Sequence, residues 1–170
     1  MVVARLSLAG AREGHVDWVA AAVAGFAAGA ALMVLQLLWA ATGVGEGPWR
    51  VTQHIAALVL GPQVMQVATD SFDAVVTGIA LLTHYVLGIG FGLALAAAMT
   101  ALRSVVLAER ALTVGAIGGM LLYGLNFHLL TVLFPWMAGL RSGEALFAHL
   151  LFGVAAAMLY RRLARTIDPR

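Results

Sequence analysis

From Trp18 to Thr42 the chain runs for 25 residues with a single strongly polar side chain, Gln36. Taken as a helix at ~1.5 Å per residue, such a run more than covers a hydrocarbon layer of ~30 Å. Inside that layer every backbone N–H and C=O must be satisfied within the segment, and for a lone run only a helix does so. Three further apolar runs occupy about residues 74–102, 111–134 and 145–160. The balance of the chain agrees: 62% of its 170 residues are hydrophobic and 11% charged, with a mean hydropathy of +0.96. These values lie far from a soluble globule's. The expected fold is all-α, a single integral membrane domain over residues 1–170, with four helices joined up-down-up-down.

Between the first two runs, residues 43–73 carry Glu46, Asp70, Asp73 and a Gly61-Pro62 break, too polar and interrupted to span. Within them Val51, Ile55, Leu58 and Val59 share a helical face, which predicts a short helix over about 50–60 lying on the membrane surface. Asp70 or Ser71 is placed to cap the second span, with Asp73 in its first turn. Arg103, Glu109 and Arg110 mark a polar turn, residues 135–143 a second one, and Ser142 with Glu144 opens the last span. The first residues carry charges too closely spaced for a signal peptide's apolar region, so the first span is read as an uncleaved anchor.

Orientation follows from the arginines, which are all ten of the basic residues. Arg5, Arg12, Arg103, Arg110, Arg161, Arg162, Arg165 and Arg170 fall on one side of the expected bundle, and only Arg50 and Arg141 on the other. The positive-inside rule then puts both termini in the cytoplasm, and the surface helix and the 135–143 turn in the periplasm. Trp39, Trp49 and Trp136 near the outer boundary and Trp18 near the inner one read as an interfacial belt. Arginine without lysine, together with heavy Ala and Gly use, reads as the base-composition bias of a bacterial source. A pI near 9.7 therefore calls for no nucleic-acid partner.

The chain also matches itself. A shift of 90 residues lays Gly25 on Gly115, Gly29 on Gly119 and Gln36 on Asn126, and a shift of 65 lays His84 on His149 and Gly88 on Gly153. Each half has a small-xxx-small face followed by an amide, then a His-x-x-x-Gly. This predicts two helical hairpins in the same orientation, a parallel repeat. Membrane helices gain little hydrophobic driving force from one another, so Gly25, Gly29, Gly88, Gly115, Gly119 and Gly153 are expected at helix contacts, where backbones approach closely.

Gln36, His84, Asn126, His128 and His149 are polar groups inside apolar runs, all in the outer half of their spans. A polar group in hydrocarbon costs on the order of a few kcal/mol unless partnered, so these side chains are expected to face other helices. Three uses fit them. They hydrogen-bond across helices and hold register; or two or three histidines bind a metal, a haem iron or a quinone; or they line a proton or ion path. No motif spacing selects a ligand. Met33, Met65 and Met137 read as apolar filler, and Gly88-x-Gly90-x-Gly92 lies mid-span with no strand before it, so it is no dinucleotide fingerprint. The chain has no cysteine, which excludes disulfides, thiolate metal centres and a catalytic thiol. No Ser-His-Asp set or phosphate loop occurs, and Glu144 and His149 fall slightly off one face for an acid–base pair.

The segments LNFHLLTVLFPWM, LFAHLLFGVAAAMLYRRL and HYVLGIGFGLALA resemble small four-helix bacterial inner-membrane proteins of unknown function, some labelled sodium:proline symporter-like, and more loosely YagU-like proteins. The resemblance covers the chain from the first span onward and brings no catalytic residues. A solute symporter needs many more spans and discontinuous binding helices, so that label is not carried over. The expectation is a non-enzymatic packing or accessory subunit of a homo-oligomer or larger membrane assembly, with the lipid bilayer and other subunits or itself as partners. The alternatives are histidine-based metal, haem or quinone binding, and a small dimeric transporter.

Overall fold

The computed structural model describes residues 15–42, 47–66 and 72–166. Over these residues the chain is helical and strand-free, with four helices long and apolar enough to cross a membrane. We number the α-helices in chain order: α1 Trp18–Ala41, α2 Pro48–Leu60, α3 Ala74–Ala101, α4 Ala108–Gly124 and α5 Gly143–Thr166. The apolar stretch of α4 continues to Val132 through a π-type turn, Leu125–Leu129, and a 3-10 turn.

The caps explain where the helices start. Asp17 Oδ1 accepts from Ala20 N at 2.9 Å and begins α1. Asp73 Oδ1 accepts from Val75 N and Val76 N at 2.8 and 3.0 Å, so Asp73 is the N-cap of α3 and not a first-turn acid. An N-cap oxygen reaches the amides two and three residues on, and the helix starts at Ala74. Asp70 and Ser71, the caps expected from the sequence, lie outside the described residues. Ser142 Oγ accepts from Ala145 N at 3.0 Å and opens α5. The third span starts at Ala108, three residues before its expected limit, because Glu109 and Arg110 take up helix positions.

Glycine sets the tightest packing. A Cβ on Gly25 would overlap the backbone oxygen of Gly88 and come within 2.9 Å of the Gly92 Cα, so α1 and α3 touch backbone to backbone. A Cβ on Gly115 would fall 2.7 Å from Gly153 O, and one on Gly119 would overlap His149 O, so α4 and α5 meet in the same way. Between these pairs the core is largely alanine. Ala20, Ala21 and Ala24 of α1 cluster with Ala96 and Met99 of α3, Ala111 of α4, and Ala157 and Tyr160 of α5. Ala28 and Leu32 of α1 cluster with Ala148, Phe152 and Ala156 of α5.

Tyr160 also ties helix ends together. Its hydroxyl accepts from Asp17 N at 3.2 Å and lies 3.4 Å from Thr100 Oγ1. Thr100 Oγ1 donates to Ala96 O, which leaves the tyrosine proton for the threonine oxygen. Every group in this buried chain is thereby satisfied, as burial demands.

α2 packs on α3. Its buried face is Thr52, Gln53, Ala56 and Ala57, while Val59 is 64% exposed and Val51, Ile55 and Leu58 are half-buried. The small and polar side meets the neighbouring helix, and the Val51–Val59 stripe read from the sequence turns away from it. Arg50 Nη1 donates to Met65 O at 2.7 Å and fastens the short 3-10 turn, Pro62–Gln66, back onto the start of α2.

Candidate functional site

The polar side chains inside the spans separate into two hydrogen-bonded groups. In α5, His149 Nδ1 lies 2.7 Å from Ala145 O, one turn back on its own helix. A carbonyl oxygen only accepts, so Nδ1 carries the proton and Nε2 of the neutral ring is the acceptor. Asn126 Nδ2 lies 3.0 Å from that Nε2 and donates to it. The ring is walled by Phe127 at 5.3 Å and Tyr123 at 5.9 Å between centroids, both edge-on. Both of its nitrogens are thus engaged within the protein.

In α3, His84 Nε2 lies 2.9 Å from Gly29 O of α1 and donates to it. That backbone oxygen already belongs to the α1 helix, so the imidazole uses its second lone pair. A Cβ at Gly29 would sit an ordinary 3.6 Å from the same nitrogen, so this contact, unlike that of Gly25, does not require glycine. Tyr85 flanks the ring at 5.8 Å and stacks on Phe26 of α1 at 4.8 Å.

Of the five side chains singled out in the sequence, Asn126 and His149 are therefore brought together and His84 bonds elsewhere. Gln36 is half-buried and makes no hydrogen bond among the described residues. His128 is exposed, its ring 5.7 Å from Tyr123. No group of three or more His, Cys, Asp or Glu is placed to hold a metal ion among the described residues.

The backbone of α4 explains how Asn126 reaches its partner. At Gly124 the α-helix gives way to the π-type turn Leu125–Leu129, which alters the direction of side chains by widening the helix for one turn. Widening breaks the regular ladder, and Arg141 repairs it. Its Nε donates to Phe127 O at 2.6 Å and its Nη2 to Thr131 Oγ1 at 3.3 Å, from the 135–143 turn back across the end of the span. By sequence alone Arg141 is only a topology charge. Its position 14 residues after Phe127, beyond Pro135, contains no local signal for this contact.

No family model matches the chain, and no curated protein or solved structure matches it either.

Proposed function

We propose that the chain is a packing or accessory subunit of a homo-oligomer or larger assembly in a bacterial inner membrane, with no catalysis of its own. What the two half-buried imidazoles do carries this reading. Each connects one helix of a hairpin to the other, His84 to the Gly29 carbonyl and His149 to the Asn126 amide, and at His149 both ring nitrogens are taken, which leaves no lone pair for a ligand. Interhelical bonds of this kind contribute ~0.5–2 kcal/mol each and hold register between spans.

The architecture that goes with it is an up-down-up-down bundle of two equivalent hairpins, α1 with α3 and α4 with α5. Support comes from the contacts. Gly25 meets Gly88 and Gly92, and Gly29 meets His84 and Gly88; Gly115 meets Gly153 and Ala157, and Gly119 meets His149. The offsets of 90 and 65 residues turn the first set into the second, with Ala157 standing where the first hairpin has Gly92. The arginine distribution supports cytoplasmic termini; Arg5, Arg12 and Arg170 lie outside the described residues.

Uneven burial says where a partner would sit: 44% of the apolar window of α1 is buried inside the chain but only 17% of that of α4, which leaves α4 the most surface open to lipid or a second subunit. The absence of cysteine permits a clean test. Single cysteines at Met120 or Leu121, exposed on α4, should cross-link in native membranes to a second copy or to one discrete partner. Free monomer at every exposed position of α3 and α4 would remove the proposal, as would stoichiometric haem, metal or quinone lost from purified His84→Gln or His149→Gln protein.

A further inference from the structure

Between the last residues of α3 and the second turn of α4 lies an open groove of about 390 Å³, lined by Leu102, Ser104, Glu109, Arg110, Thr113 and Val114. Its surroundings are apolar and outward-facing: Leu102 is 62% exposed, and Val106 and Leu107 in the same turn are exposed too. Charged side chains beside exposed aliphatic ones, at the end of two membrane-crossing helices, describe a surface at headgroup level.

The donors and acceptors in the groove are unequal. Thr113 Oγ1 donates its proton to Glu109 O at 2.9 Å, and Ser104 Oγ donates to Met99 O at 3.0 Å. Thr113 Oγ1 is thereby left as an acceptor at the surface, whereas Ser104 is 1% exposed and its hydroxyl is enclosed. Glu109 adds a carboxylate, and neither it nor Arg110 forms an ion pair or side-chain hydrogen bond among the described residues. The wall therefore offers one planar cation, one anion and one acceptor oxygen. First-turn amides of α4, which begins at Ala108 after Leu107 with no side-chain cap, stand beside Arg110. The complement is a molecule with a negative group for Arg110, an N–H cation for Glu109 and the Thr113 hydroxyl, and an apolar body for Leu102 and Val114.

We propose that this groove holds the headgroup of an ethanolamine phospholipid, its phosphodiester on the Arg110 guanidinium and its primary ammonium on Glu109. Arginine suits the first contact because its fork matches phosphate oxygens. The second contact separates ethanolamine from choline, whose quaternary nitrogen has no N–H to donate.

The test uses the full chain purified in detergent and exchanged into micelles doped with phosphatidylethanolamine, phosphatidylcholine or phosphatidylglycerol. The readout is lipid retained per chain after gel filtration, measured by mass spectrometry. Phosphatidylethanolamine should be retained about tenfold more tightly than either of the others. Arg110→Gln should abolish that retention, Glu109→Gln should lower it to the phosphatidylcholine level, and Arg162→Gln, removing an exposed charge on α5, should leave it unchanged. Equal retention of the ethanolamine and choline lipids overturns the proposal. So does equal loss in Arg162→Gln and Arg110→Gln, which marks general surface charge, or displacement of the lipid by millimolar inorganic phosphate, which marks a small-anion site. An unchanged unfolding midpoint in phosphatidylcholine micelles shows that each variant is folded.

Discussion

The α1/α3 pair and the α4/α5 pair are lined by glycine at corresponding places, yet they treat their amides differently. α1 remains α-helical to Ala41, and Gln36 on it has no hydrogen bond among the described residues. α4 leaves the α-helix at Gly124, and Asn126 in the widened turn donates to His149. In the first pair the histidine takes a backbone carbonyl instead. An amide eleven residues beyond the first glycine of a contact face thus has no fixed partner. One turn of backbone geometry and one methylene of reach decide whether it meets the imidazole.

Alanine at two matching glycines should break the equivalence most strongly. At Gly119 the added carbon meets backbone, His149 O and, at 2.9 Å, Leu150 Cα, which cannot move without separating α4 from α5. Gly119→Ala should cost about 2–3 kcal/mol in SDS-induced unfolding. At Gly29 the nearest atom is His84 Nε2 at an ordinary 3.6 Å, so Gly29→Ala should be neutral or, through helix propensity, stabilising by up to about 1 kcal/mol. Similar losses at both sites would mean that the Gly29 contact is as tight as the Gly119 contact.

The amides give the next contrast. Asn126→Leu removes the donor to His149 and should cost about 1 kcal/mol, whereas Gln36→Leu removes a polar group with no bond and should cost nothing. Equal losses in the same unfolding measurement would mean that Gln36 finds a partner in the membrane. A local effect belongs to Arg141→Gln, which releases Phe127 O. Global stability should fall by less than about 1 kcal/mol, while amide hydrogen exchange should rise at residues 125–132 and stay level in the corresponding part of α1. Uniform exchange across both would make the arginine clip irrelevant to the π-type turn.

Much of the fold was legible because it is local. The four spans were placed to within a few residues, since a run of apolar side chains long enough to cross hydrocarbon is read directly from the chain. The faces carrying Gly25, Gly88, Gly115, Gly119 and Gly153 followed from helical periodicity, and all are buried. Local reading failed where two patterns overlapped. In α2 the apolar stripe through Val59 was evident, but the face that docks on α3 is made of Thr52, Gln53, Ala56 and Ala57, which carry no hydrophobic signal.

By itself, then, the sequence determined that this chain is helical, that four of its helices suit a membrane, and which of their sides can approach closely. Those properties depend on side-chain size and polarity at spacings of three and four residues. The tertiary structure alone decided that His84 would take the Gly29 carbonyl 55 residues away, that Asn126 would hold His149, and that Arg141 would close the π-type turn. Each of these is a match of direction and distance to within a few tenths of an ångström between segments remote in the chain. Hydrogen bonds weaken steeply outside that range, and residue spacing carries no information so fine.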